Sequence, residues 1–467
     1  MLAAGHMADP IVTPEGWLAR GDAFVAGEGT QLAVFGGIPG ERARVRILGG
    51  TPRQEFAKWV QASGKAHPNR VKPPCDRYVP CGRCSIMHLN WAGQDQMRQE
   101  LIAEALRYAG LVATVRPVVR GAEVEVQYTM DLATGRSDQG RIRVGVRGAD
   151  GRDVLAIPDC PVVTPAIRNV MGAAAYLLGE LDLWPWDGKR GTVRGLRVLQ
   201  APNGGDCLVL IGAAKPNPTL AAFATQLASR HGGIAGVLLH IEEAGRDPFK
   251  VDEMGDLPCM PLYGKLTLDI EVAGLPFRVG PSDPFPEHPV MDGRVAEAVV
   301  TALAPQPGDA VIDFASGLGV RTRLLAAQSG WALGVDPREG VVRRARENAA
   351  GGTGAAEFAV SLDASRLEGV RPLVVVDGGT RGLVGEQIDT LMALNPRRMV
   401  VLGTNPRSFC RGLATLTRRG LTLRSVEPFD VSPNTPFVAL LGVLESNDPT
   451  PTVRRAPRRK LVRQGAS

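Results

Sequence analysis

The sequence predicts an α/β protein with a small β domain first, an α+β region in the middle and a doubly wound parallel sheet last. Three observations predict it. Before about residue 66, short apolar segments alternate with glycine-rich turns. After about residue 290 the pattern changes to alternating strands and helices, as parallel sheets require. A Gly-x-Gly turn then joins the first of those strands to its helix, and the next strand ends in an acid.

In the first region, residues 11–66, the turns are Gly21, Gly27-Glu28-Gly29, Gly36-Gly37 and Pro39-Gly40-Glu41. Ala43-Arg44-Val45-Arg46-Ile47 alternates strictly, which puts two arginines on one face of a strand. The central region, residues 67–288, opens with a helix over 91–109, with Met97, Leu101 and Ala105 at i, i+4 and i+8. Thr164-Pro165 has the cap-then-proline order that starts a helix. Val193–Leu199 and Cys207–Ile211 read as paired strands across Asn203-Gly204-Gly205. Helix 221–230 and strand 236–241 follow. In the last region, 289–446, the strand 310–314 carries Asp313, and Gly317-x-Gly319 is its turn. A helix runs through Leu324 to Gln328, and the strand 331–335 ends at Asp336, seventeen residues after Gly319. Glycines in such a turn let backbone approach a cofactor, and the acid can accept hydrogen bonds from ribose hydroxyls.

The chain has 467 residues, enough for two or three domains each with its own core. Hydrophobic content of 44% and charged content of 22% are ordinary for a globular protein. No apolar run reaches the ~18 residues that span a bilayer, and the N-terminus lacks a basic-then-apolar signal region. A cytoplasmic protein with no membrane partner is expected; the oligomeric state is not legible, and a monomer is the working assumption. The net charge of +6 is unevenly placed: in 447–467 six basic residues face only Asp448, a net +5, so the rest is near +1. Such a proline-punctuated basic tail is expected to be disordered. It suits phosphate backbones, or else is a solvated terminus without a role.

Seven cysteines, an odd number, argue against a secreted disulfide framework. Cys75, Cys81 and Cys84 form C-x5-C-x2-C, and Cys160 follows after 75 further residues. Four thiolates can hold a [4Fe-4S] cluster. Structural zinc also takes four cysteines, but usually from tighter C-x2-4-C pairs, and unligated thiols are the remaining alternative. Cys207, Cys259 and Cys410 read as small buried apolar residues.

The string Pro73-Pro74-Cys75-x5-Cys81-Gly82-x-Cys84, with His88 and Gln94 after it and Cys160 at a distance, resembles the cluster-binding part of the bacterial RNA (uracil-5-)-methyltransferases. The resemblance runs from about residue 11 to 446. It implies a TRAM domain over 11–66 (an OB-like barrel that binds RNA), a cluster-binding central domain over 67–288, and a class I S-adenosylmethionine (SAM) methyltransferase domain over 289–446. It implies RNA, ribosomal or transfer, as partner, and SAM and a [4Fe-4S] cluster as cofactors. The cluster would sit on Cys75, Cys81, Cys84 and Cys160. SAM would sit at Asp313, Gly317, Gly319, Asp336, Asp363 and Asp377, with Asp336 on the ribose and Asp363 on the adenine side.

The family's chemistry needs a cysteine thiolate that adds to uracil C6 and a carboxylate that later removes the C5 proton. Here the Ser-Cys-Asn-Pro turn reads Gly403-Thr404-Asn405-Pro406, so Thr404 holds the nucleophile position. The Phe-Pro-x-Thr-x-His-Val-Glu segment reads Ser432 to Ala439, so Ala439 holds the base position and Phe437 the histidine position. The Asp-Pro-Pro-Arg-x-Gly motif has become Asp377-Gly378-Gly379-Thr380-Arg381-Gly382, and Phe-Phe-Gln-Val-Asn has become Phe285-Pro286-Glu287-His288-Pro289. A threonine hydroxyl is far less acidic than a thiol of reference pKa ~8.5. The expectation is a retained scaffold that has lost uracil-C5 catalysis. The alternative is an active RNA methyltransferase with another nucleophile or target atom. Neither Cys410, six residues beyond Thr404, nor Glu287 is expected to substitute.

Overall fold

The computed structural model describes residues 9–243, 247–352 and 354–448. Residues 449–467, which carry the basic side chains of the expected tail, lie outside the described residues. Three large sheets organise the rest. In the first, of six strands, Ala43–Thr51 and Gln54–Ala62 form the long antiparallel pair. Gln31–Phe35 joins Gln54–Ala62 in parallel. Ala43 and Val45 are buried while Arg44 and Arg46 are exposed, as the alternation predicts; Arg46 pairs with Asp9 at 3.1 Å.

The second sheet has seven strands in the order Val154–Leu155, Ile142–Arg147, Thr129–Arg136, Val193–Gln200, Cys207–Ala213, Ile234–Ile241, Met260–Gly264. Val193–Gln200 and Cys207–Ala213 pair antiparallel, as expected. Helices Pro165–Glu180 and Thr219–Arg230 pack on one face through Ile167, Leu177, Phe223 and Leu227. Helix Pro165–Glu180 does begin at its proline, but Thr164 does not cap it: its hydroxyl hydrogen-bonds the buried Gln200 side chain, a stronger need inside the fold.

The third sheet runs Ala355–Ala359, Trp331–Val335, Val311–Phe314, Leu373–Asp377, Arg398–Gly403, Ala439–Ser446, Leu421–Phe429, Thr114–Val115. The first five strands are parallel. Runs such as Leu373-Val374-Val375-Val376 are apolar throughout because both faces are covered. Helix Trp91–Tyr108 starts where expected, with Asn90 accepting from the Gly93 N–H at 2.9 Å. Its Ile102, Ala105 and Leu106 join the core of this third sheet, although they precede its parallel strands by two hundred residues. Among the described residues no helix is long and apolar enough to cross a membrane.

Candidate functional site

The carboxyl ends of the parallel strands open into a cleft of about 770 Å³. Each strand delivers its lining from the turn that follows it: Ala315-Ser316-Gly317, then Arg338, then Asp377 to Gly382, then Gly403-Thr404. This is where an open α/β sheet binds its ligand. Gly317, at φ +55°, faces the cleft, and a Cβ there would meet only Pro284 at 3.8 Å. Gly319 has a different job from the one its motif position implies. At φ +87°, a Cβ there would stand 2.4 Å from the Phe358 ring, so this glycine permits close packing and does not line the cleft.

Of the expected cofactor residues, Gly317 and Asp377 line the cleft while Asp313 and Asp336 lie buried, and arginines engage all three acids. Buried Asp313 accepts from Arg321 Nη2 at 3.1 Å and from the Thr322 hydroxyl at 2.8 Å. Arg321 lines the cleft and also reaches Asp377 at 3.5 Å. Asp336 is 1% exposed and takes a two-pronged ion pair from Arg338, Nε and Nη2 each at 2.9 Å, besides the Gly317 N–H at 3.3 Å. Asp363 does not line the cleft; its Oδ1 caps a 3-10 turn by accepting from the Ser365 N–H and hydroxyl. Sequence reasoning missed Arg321 and Arg338 as site residues. It also missed Asp292, in the first turn of helix Pro289–Leu303, which lines the cleft. Although Asp292 is exposed to the cleft, the protein packed around it raises its carboxyl above the ordinary value, opposed by Arg321 and assisted by Asp377.

Thr404 and Ala439 both line the cleft. Gly403 pairs with Leu440 in antiparallel register, so the residues just beyond, Thr404 and Ala439, meet at the same sheet end. The Thr404 hydroxyl lies 3.2 Å from that of Thr380. Cys410 is buried inside helix Pro406–Arg418, and burial pushes its thiol up to about 12. It is absent from the cleft lining, as is Glu287.

The four motif cysteines line a second cavity, about 440 Å³, which also takes in Glu287, Ser432, Pro433, Thr435 and Phe437. Burial first, then the neighbouring Cys160, Cys81 and Cys75, push the Cys84 thiol up to about 12. Among the described residues, however, no three His, Cys, Asp or Glu side chains are grouped to hold a metal ion. The segment 431–439 forms the partition between the cavities, with Val431 and Ala439 on the cleft side. Helix Trp91–Tyr108 secures that partition. Its fully buried Arg98 pairs with Asp430 at 2.8 and 2.9 Å and donates to the Thr435 carbonyl, while Gln94 donates to the Asn434 side chain at 3.1 Å. His88, held by Tyr78 at 2.8 Å and the Gly37 carbonyl at 3.0 Å, ties the cysteine segment to the first sheet.

No family model matches the chain. It is 27% identical over 456 residues to the 23S rRNA (uracil(1939)-C(5))-methyltransferase RlmD of Methylococcus capsulatus, covering 94% of this chain and 97% of that protein. It is 26% identical over 450 residues to the RlmD of Pseudomonas entomophila, covering 91% of each. The crystal structure of the Pyrococcus abyssi tRNA (uracil-54, C5)-methyltransferase, in complex with S-adenosyl-L-homocysteine, superposes with a TM-score of 0.71 at 20% identity. It covers 93% of this chain and 100% of that one. By sequence over nearly its whole length the chain is a relative of the RNA uracil-C5 methyltransferases, and its fold is that of a SAM-dependent methyltransferase.

Proposed function

We propose that this protein binds structured RNA and SAM on a methyltransferase scaffold whose uracil-C5 chemistry has been lost. The observation that carries the reading is that Thr404 and Ala439 stand together at the cleft. With a threonine hydroxyl and a methyl group there, no thiolate adds to uracil C6 and no carboxylate at that position takes the C5 proton. The Arg321 and Arg338 ion pairs further imply that SAM binds weakly, since it must compete for carboxylates already engaged.

Residues 11–66 then serve as a TRAM-like barrel offering Arg44 to RNA, 67–288 as a central domain and 289–446 as the methyltransferase domain, with 447–467 as a basic tail. The protein acts in the cytoplasm as a monomer. Cys75, Cys81, Cys84 and Cys160 would hold a [4Fe-4S] cluster. Four soft thiols lining one cavity support this reading, although they are not drawn together as a metal-bound set would be. When bound, the cluster would supply cross-linking and one-electron chemistry.

Asp292 favours a second reading, an active RNA methyltransferase for another atom, since a carboxyl raised above its ordinary value in the cleft can accept a proton from an attacking hydroxyl or amine. Titrating purified protein with SAM and then assaying methyl transfer to total RNA separates the two. The first reading expects SAM binding and no methylated nucleoside; 5-methyluridine would overturn it, and any other methylated nucleoside would establish the second.

A further inference from the structure

We propose that a cavity of about 770 Å³ at the edge of the central sheet, lined by Arg136, Arg147, Arg152 and Arg194 with Trp186, binds RNA phosphates at a distance from the cleft. The inference rests on the RNA-binding reading above and adds the place where RNA is held. None of its lining residues lines the methyltransferase cleft or the cysteine cavity.

The arginines there differ from most others in this protein. Arg98, Arg197 and Arg338 each grip a carboxylate with two nitrogens. Among the described residues, none of the four cavity arginines has a carboxylate within ion-pair distance. Two are instead laid on tryptophans: the Arg136 guanidinium is 4.0 Å from the Trp184 ring centre, and that of Arg194 is 5.2 Å from Trp186. A stacked guanidinium keeps its N–H fork free and pre-ordered, the arrangement that meets phosphate oxygens with least loss of freedom. Arg194 Nε is buried without any hydrogen-bond partner, a donor that an anionic oxygen would satisfy.

The tryptophans are held firmly enough to serve. The Trp186 N–H donates to the Val193 carbonyl at 2.7 Å, and Thr192 N–H donates to the Trp184 carbonyl at 2.8 Å. Gly191, at φ +97°, closes this loop where a Cβ would stand 2.1 Å from the Pro185 carbonyl oxygen. Three carboxylates, Asp153, Asp187 and Glu243, also line the cavity. Asp187 is committed to the Lys189 and Arg190 N–H groups of its own loop. The four forks come from three strand segments and a loop, a spread that matches successive phosphates better than a single free anion. Trp186 offers a ring to an unstacked base.

The test uses the full chain and a labelled mixed-sequence stem-loop RNA, with binding followed by anisotropy over a range of salt. Arg147 and Arg152 are exposed, so the double variant Arg147→Ala/Arg152→Ala should keep its fold, checked by circular dichroism. It should bind more weakly, and its slope of log affinity against log salt should fall by about 1.4–1.8, at about 0.7–0.9 per lost phosphate contact. Unchanged affinity and slope in the variant would sink this site while leaving RNA binding elsewhere intact. Failure of the unmodified chain to bind RNA would sink the parent reading and this site with it. Inorganic phosphate displacing the stem-loop at equal phosphate concentration would overturn the site as an RNA surface.

Discussion

Arg338 closes over Asp336 with both prongs of its guanidinium at 2.9 Å, on the carboxylate proposed to receive the ribose of SAM. The arginine is only two residues along the chain, and its side chain is about a third exposed, whereas Asp336 is almost wholly buried. Under the proposed role, the hydroxyls of SAM would have to displace this internal partner.

The first prediction follows from that competition. Asp336→Ala should cost SAM binding about 1–3 kcal/mol, the worth of hydrogen bonds to a charged group with their desolvation. Arg338→Ala should act in the opposite direction, tightening SAM by roughly fivefold for a net hydrogen bond of about 1 kcal/mol. Asp336 would still accept from the Gly317 N–H and the Arg338 backbone N–H, but its buried charge loses its counter-ion, so the fold of the variant is checked by circular dichroism beside its binding. Calorimetry of the two variants beside the unmodified protein decides it, and weaker binding by Arg338→Ala would show that the arginine serves the ligand.

A second prediction concerns the chemistry. An RNA carrying 5-fluorouridine traps the thiolate adduct, because fluorine cannot leave C5 as a proton does. The unmodified protein should form no such adduct. Thr404→Cys should allow it, since that position lines the cleft, but without turnover of normal uridine RNA. Adding Ala439→Glu should permit release, because the sheet register brings position 439 beside 404. Mass spectrometry finding 5-methyluridine made by the unmodified chain would overturn the assignment.

Much of this was legible in the sequence. Period-two alternation marked Ala43 to Ile47, because that pattern follows from which face is buried, and alternating strands and helices after about residue 290 marked the parallel sheet. The strand-turn-acid order of 310–336 placed the cleft. What sequence could not show was which side chains answer those acids. Arg321 lies on a helix two residues beyond the glycine turn, where its charge reads as a solvated face; only the fold shows it reaching Asp313 and Asp377 together. Arg98 is similar. Its local partner is Asp95, three residues back at 3.9 Å, whereas Asp430, which it grips with two nitrogens, lies over three hundred residues away. Asp363 shows the converse, an acid at the expected position whose oxygen is spent on its own turn.

The third prediction addresses the four cysteines. Anaerobic purification should give a brown protein with about four irons per chain, and Cys81→Ala should lose both colour and iron. Cys410→Ser should retain them, because Cys410 is buried in a helix away from that cavity. A colourless protein carrying one zinc would replace the cluster with a structural zinc site.

The last prediction is a dependence of stability on pH, centred on Glu41 in the Pro39-Gly40-Glu41 turn. Its side chain is fully buried and receives Arg70 Nε at 2.7 Å, the His67 N–H at 3.1 Å and the Trp59 indole at 3.1 Å. Burial alone would raise this carboxyl, but those donors outweigh it and hold the group below its ordinary value of 4.5. A carboxyl depressed on folding contributes stability that is fully present above the unfolded value and is lost as pH falls through the folded one. Removing one partner of a buried ion pair costs about 3–5 kcal/mol, so Glu41→Ala should unfold at markedly lower urea near neutral pH. The gap between the two proteins should close steadily below about pH 4.5, where the unmodified carboxyl also becomes protonated. Urea midpoints measured at several pH values check this. A gap that stays constant into acid would show that Glu41 stabilises through packing and not through its charge.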